Sequence, residues 1–246
     1  EIRIPDAYVL PHKMAEISYT SYMSANLNGN DDNEYHHYWA GNINIGLFER
    51  LELGFVGTGS EIYLLNVKAK LLNETEYLPA ISLGVDNLFS KVPNLKEDDV
   101  DIPSSLIDEE TTFDDYIRNS VYFVMSKSSL VRGLPFIPYL QSTMHIGIGG
   151  RRFQGSVSLS KQLAGLFIGF EAKPADWFSV VAELDGYNFN TGLKLNYRNI
   201  MLRTALTRIE ELDRRKLKYA FNLVYTLDYF SSDKISRKGI DHARSQ

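Results

Sequence analysis

Cysteine is missing from the 246 residues of this chain. No disulfide can staple it, and the absence fits an oxidising compartment where a stray thiol is a liability. Long apolar runs are missing too. No stretch approaches the roughly 20 apolar residues that a membrane-spanning helix requires, and mean hydropathy is -0.22. Positive charge is in deficit: 26 Lys and Arg stand against 31 Asp and Glu, a formal net charge of -5. That balance gives no reason to expect a nucleic-acid partner. Neither a glycine-rich phosphate loop nor an HExxH motif occurs. The chain opens on Glu1 rather than Met and carries no signal segment, so it reads as a mature form. Tryptophan is scarce, at 2 residues, but Tyr (15) and Phe (13) are plentiful, as strands and aromatic girdles require.

What the chain does have is a two-residue rhythm. Over 217–229 one parity carries Leu217, Tyr219, Phe221, Leu223, Tyr225, Leu227 and Tyr229; the other carries Lys218, Ala220, Asn222, Val224, Thr226 and Asp228. Successive strand side chains point to opposite faces, so this is one strand between two different solvents. The polar set is too polar for a protein core. The apolar set ends in Tyr at both termini, which suits the two interfaces of a bilayer. Only helices and closed barrels satisfy every backbone group in lipid, and the helix is excluded. The expected fold is therefore all-β, a transmembrane antiparallel up-and-down barrel of about 12 strands in the outer membrane. The rival is a soluble barrel with an apolar interior.

The rhythm recurs along most of the chain. Ile17 and Tyr19, Ile43 and Ile45, Leu53 and Phe55, Val67 and Ala69, and Leu83 and Val85 mark the first five outward faces. The sixth segment, near 121–129, is ambiguous in parity. Met144 and Ile146, Ile168 and Phe170, Val180 and Ala182, Leu193 and Leu195, and Leu202 and Thr204 mark the next five. Turns expected at 48–50, 73–78, 130–136, 173–176 and 198–199 would face the periplasm. The longer connections at 26–40, 89–118 and 150–162 would face outside, the asymmetry such barrels show. The barrel is assigned to 1–230, including the long acidic external loop 89–118, and a periplasmic C-terminal tail to 231–246. That loop lacks the ligand spacing of a calcium site and reads as a solvated acidic surface.

Chemistry in such a chain is confined to the inward charges: Glu52, Lys68, Lys70, Glu171, Glu183, Asp185, Lys194 and Arg203. The expectation is a lumen charge network, with Glu183, Asp185, Lys194 and Arg203 at its centre, that constricts the barrel. A barrel of this size lies between the filled eight-stranded type and the open sixteen-stranded porin. Inward glycines such as Gly147 and Gly169 leave room for large neighbours such as Phe167. An outer-membrane lipase would pair a Ser with a His near the outer rim. His145 and Ser142 have opposite parity and cannot couple. His36 and His37 fall in the expected loop 26–40 without a closed ligand set. No catalytic residue, metal site or cofactor is expected.

Several segments, in order, resemble the outer-membrane barrel family typified by YjbH, associated with exopolysaccharide production. They are Ile4-Pro5 through Leu10-Pro11, the run 42–54, Asn66 to Lys70, the run 79–85, Ser126-Lys127, and above all Gly165 to Gly192 with its Phe170-Glu171-Ala172-Lys173-Pro174 and Asn190-Thr191-Gly192-Leu193. The resemblance implies a non-enzymatic barrel with an accessory or transport role linked to surface polysaccharide, and no catalytic residues to carry over. A small-solute pore and a structural subunit anchoring a complex are the alternatives. The expected surroundings are outer-membrane lipid and lipopolysaccharide, with a protein partner reached through the loops or the tail.

Overall fold

The structure, a computed structural model, describes residues 4–26, 34–58, 62–91, 119–134, 137–150, 153, 165–186, 188–207, 209 and 216–228. Twelve strands follow one another: β1 (Met14–Asn26), β2 (Glu34–Leu47), β3 (Leu51–Thr58), β4 (Tyr63–Leu72), β5 (Ala80–Lys91), β6 (Ser120–Leu134), β7 (Ile137–Gly149), β8 (Leu166–Ala175), β9 (Phe178–Leu184), β10 (Phe189–Tyr197), β11 (Ile200–Thr207) and β12 (Lys216–Asp228). Each pairs antiparallel with its sequence neighbours, and β1 pairs β12 to close the barrel. The seam uses the whole of β1, from Met14 opposite Asp228 to Asn26 opposite Lys216.

The alternation sorts side chains as lipid requires. Ile17, Tyr19, Ile43, Phe55, Leu193 and Leu223 are exposed on the outer wall. Cross-strand pairs such as Leu202–Leu223 and Leu206–Tyr219 keep like with like on that face. A barrel whose outer wall is this apolar and whose edges are all closed is an integral outer-membrane β-barrel. A soluble barrel would carry these side chains inside.

Five short connections (48–50, 73–79, 135–136, 176–177 and 198–199) lie at the end where β1 starts and β12 finishes. The longest, 92–119, and the 150–165 connection lie at the other end. Most of the acidic loop and all of the tail 231–246 lie outside the described residues.

Three boundaries differ from expectation. β8 runs to Ala175, so the turn expected at 173–176 shrinks to 176–177. β2 begins at Glu34, so His36 and His37 sit on a strand rather than in a loop. Rim residues beyond the hydrocarbon need not alternate apolar with polar, so the rhythm does not mark them. β6 runs to Leu134 and leaves only 135–136 as its turn to β7. Its parity also resolves: Val121 and Met125 face out, while Tyr122, Val124 and Ser126 are buried inside. Both faces of β6 are apolar because its inner face packs against something.

The lipid-facing assignment predicts that Leu195→Arg, on the outer wall at 40% exposure, destabilises the folded barrel by roughly 2–4 kcal/mol near the midplane. Urea titration in lipid vesicles, read by heat-modifiable gel migration, checks it. An unchanged midpoint would contradict the lipid-facing placement.

Candidate functional site

The interior has two unlike halves. Along β5 to β9 the inward side chains are almost sealed: Ser82, Val124, Ser126, His145, Phe167, Ser179, Val181 and Glu183 are at most 1% exposed. Tyr122, Phe153 and Phe167 form an aromatic cluster there, with Phe153–Phe167 centroids 4.6 Å apart and Tyr122–Phe153 at 5.9 Å. Phe153 comes from the 150–165 connection and reaches in from the long-loop end. Three inward glycines make the space. A Cβ at Gly84 would collide with Tyr122, one at Gly147 with Phe167, and one at Gly149 with Phe153.

The same half receives the chain's own N-terminal segment. Residues 4–12 enter the lumen at the short-turn end, with Ile4 and Ala7 buried in the cluster and Tyr8 packed against it. Pro5 and Pro11 fix their own φ and push Ile4 and Leu10 to extended geometry, so the segment cannot coil. Ile4 fills the notch over Gly169, and the Leu10 and Pro11 carbonyls pass directly over Gly46. The wall reads the segment's backbone: Ala7 N–H donates to Ser126 Oγ (2.8 Å), Ser82 Oγ donates to the Ala7 carbonyl (2.6 Å), and Leu10 N–H donates to Glu52 Oε2 (2.9 Å). Ser126 also shares a 2.7 Å hydrogen bond with His145 Nδ1. Tyr8 Oη donates to Glu74 Oε2 (2.7 Å) and meets Ser128 Oγ at 2.9 Å. Burial, reinforced by Glu74, pushes the Tyr8 phenol above its ordinary range, so it stays protonated. At the mouth, the His12 ring stacks on Phe48, and Phe48 N–H donates to His12 Nδ1. Phe48 and Glu49 hold φ of 53° and 59°, a turn geometry costly for non-glycine residues.

The sequence-derived charges fall into three places. Glu52 and Lys68 face each other in register on β3 and β4, 3.4 Å apart, and Lys68 also meets Asp6 of the segment at 3.4 Å. Lys70 lies nearer the short-turn rim, within electrostatic reach of Glu49 and Arg50. Across the barrel, Lys194 on β10 reaches over β9 to Glu171 on β8 at 2.6 Å. The register of Lys194 on β9 is Ser179. Glu183 lies four residues further, roughly 13 Å along the strand, opposite Asn190. Asp185 builds the β9–β10 turn, accepting from Asn188 N–H (2.8 Å) and Asn190 Nδ2 (3.1 Å). Arg203 is opposite Lys194 in register, and its charge acts on Glu16 across β12.

The other half of the lumen is more polar and less sealed, although Lys218, Ala220 and Val224 on β12 are buried there too. Glu16, Ser18 and Thr20 on β1, Asn42 and Asn44 on β2, and Asn222 and Thr226 on β12 all face inward, yet each keeps partial solvent exposure. Asn222 Nδ2 donates to Thr20 Oγ1 at 2.7 Å, and Thr226 Oγ1 donates to Glu16 at 3.4 Å.

A Ser–His contact does exist on the outer wall, where the sequence did not place it. Ser21 Oγ and His37 Nε2 are 2.8 Å apart on β1 and β2, beside the stacked Tyr19 and Trp39 rings. A nucleophile–base pair also needs an oriented imidazole and oxyanion donors. The strand N–H groups here serve the β1–β2 ladder, so the contact reads as a hydrogen bond at the aromatic girdle. Among the described residues no group of three or more His, Asp and Glu gathers to hold a metal.

No family model matches the chain. No curated protein matches it either. Among solved structures it is similar to the KdgM porin in complex with disordered oligogalacturonate (TM-score 0.47, 11% identity, 85% of this chain and 98% of that one). It is also similar to the KdgM porin alone (0.46, 10%, 85% and 98%) and to an outer membrane channel from Pseudomonas putida F1 (0.44, 12%, 92% and 100%).

Losing one partner of a buried ion pair costs roughly 3–5 kcal/mol, and water at the partly exposed Glu171 reduces this, so Glu171→Ala is expected to cost about 2–3 kcal/mol. Adding Lys194→Met should recover a good part of the loss. Unfolding titrations of the two single variants and the double variant check this; strict additivity would show that the pair is not coupled.

Proposed function

We propose that this protein is a non-enzymatic diffusion channel of the outer membrane for small, uncharged, hydroxyl-rich solutes, in an accessory role to surface polysaccharide. The observation that carries the reading is the contrast between the two interior halves. One is filled. The other is lined by amides and hydroxyls on residues that keep partial exposure, although Asn42 Oδ1 and Asn222 Oδ1 are themselves buried without a hydrogen-bond partner. We read this less sealed side, along β1, β2 and the adjoining part of β12, as the path for solute.

The chemistry of the path argues for neutral solutes. Asn42, Asn44, Asn222, Ser18, Thr20 and Thr226 offer both donors and acceptors, which match alcohols without preferring a charge. The charges that border the path are of both signs, Glu16 and Arg203, so no single-sign field selects an ion. The ordered resemblance to the YjbH family supplies the link to polysaccharide and leaves the solute itself open.

The test is swelling of proteoliposomes in isotonic solute. Swelling in neutral mono- and disaccharides should outpace swelling in charged solutes of equal size. Thr20→Trp, which puts an indole into the path, should slow it with the barrel still folded. Swelling no faster than protein-free vesicles, from protein that shows the folded gel band, would overturn the reading.

A further inference from the structure

We infer that the segment 4–12 is a releasable plug: an autoinhibitory ligand, carried on the chain itself, that occupies the β3–β8 side of the lumen and sets how wide the passage is. The inference rests on the channel reading for its consequence, though not for the motion.

Four observations support it. First, the segment holds the lumen without joining the sheet. Every strand keeps its two neighbours in the closed barrel whether or not the segment is present. The wall contacts at Ala7, Tyr8 and Leu10 come from side chains: Ser82, Ser126, Glu74 and Glu52. Withdrawing the segment therefore breaks no ladder. Second, its apolar hold is small. Ile4 and Ala7 are its sealed apolar side chains, and both sit at its far end. Third, it joins β1 through Lys13, whose φ of 67° places a sharp bend at the lumen mouth. Backbone hydrogen bonds fix that bend, Lys13 N–H to the Gly46 carbonyl (3.0 Å) and Met14 N–H to the Pro11 carbonyl (3.1 Å), so release moves residues 4–10 at the short-turn end while the bend and Met14 stay in place. Fourth, beyond the apolar cluster that seats Ile4 and Ala7, the groups it covers are hydrophilic. Ser82, Ser126, Ser128, Glu52 and Lys68 would meet water once it left, and all can be hydrated. The seat thus tolerates both states, as a two-state element requires.

The seat also defines its ligand. It takes an extended peptide with an apolar residue over Gly169, a carboxylate at Lys68, and a small residue between Ser82 and Ser126. Residues 4–8 of this chain, Ile-Pro-Asp-Ala-Tyr, supply those features in order.

Because the chain has no cysteine, thiols can be placed cleanly. In Ala7→Cys, a small water-soluble maleimide should label the introduced thiol in folded protein. Ile4→Asp, which charges the buried anchor, should speed the labelling. In Ala7→Cys with Ser126→Cys, oxidation should tether the segment and give low single-channel conductance, and adding reductant should raise it. Protection of the thiol at position 7 in both backgrounds, with conductance unchanged on reduction, overturns the plug. Rapid labelling with every variant electrically silent upholds release and instead overturns the channel reading. Should Ile4→Asp fail to fold, the tethered pair alone decides, since its oxidised form keeps the closed arrangement.

Discussion

Everything in this molecule follows from the seam between β1 and β12. All of β1, from Met14 to Asn26, is paired there, and that pairing removes the last free edges from the sheet. In hydrocarbon an unpaired strand edge is not tolerated, so closure is the condition for the barrel to exist at all. Closure also fixes strand number, and strand number fixes bore. Twelve strands enclose more space than inward side chains alone can fill, unlike the eight-stranded case. The fold must then leave the surplus wet or bring in material to occupy it. It does both, on opposite sides.

The filled side shows how tightly that choice is built into the sequence. Tyr122 and Phe167 are too large for a wall of ordinary residues, and glycines stand where they would otherwise collide, at Gly84 and Gly147. Phe153 enters from the long-loop end and Ile4 from the short-turn end, and both reach the same cluster. A core assembled from two opposite entrances brings Phe153 and the N-terminal segment into one cluster with the wall residues Tyr122 and Phe167. Burying the Ile4 side chain is worth roughly 1.5–3 kcal/mol, less than the cost of ordering the segment, roughly 1–2 kcal/mol per residue, so Ile4 alone does not hold it and the Ala7, Tyr8 and Leu10 contacts must contribute.

The outer wall was legible from sequence because lipid enforces one rule at every second position. Ile17, Phe55, Leu193 and Leu223 obey it, and one misplaced charge would be expensive. The interior obeys no such rule. Whether an inward position is Val124 or Asn222 depends on what stands opposite, and alternation carries no information about that. This is why β6 was ambiguous: its inward Tyr122 and Val124 look like a second lipid face. The rims were illegible for a related reason. Beyond the hydrocarbon, residues such as His37 and Tyr38 extend β2 by pairing alone. The segment 4–12 has no period to detect. Its signal lies in Pro5 and Pro11, which forbid helix, and in inward Gly46 and Gly169, which leave room for a chain that the alternation does not show. That Glu52 and Lys68 serve the segment could not be read, because their partners Leu10 and Asp6 lie more than forty residues away in sequence.

The electrostatics of that seat distinguish orientation from anchorage. Lys68 already faces Glu52 in register, so the wall is neutral there before the segment arrives. Docking adds Asp6, and the local sum becomes negative, with Glu16 close enough to act on both carboxylates. A second carboxylate on one ammonium gains little, because attraction to Lys68 is offset by repulsion from Glu52. The Asp6 contact therefore sets the register of the segment along the wall without holding it there. The holding falls to Ile4 and Ala7 in the aromatic cluster and to the neutral Tyr8 phenol at Glu74 and Ser128. An anchor made of apolar contact and hydrogen bonds from neutral donors, Glu74 being a carboxylate acceptor, is less sensitive to salt than an ion pair. Release of the segment should depend on what competes for the Gly169 notch and the Ser82–Ser126 pair, and far less on ionic strength.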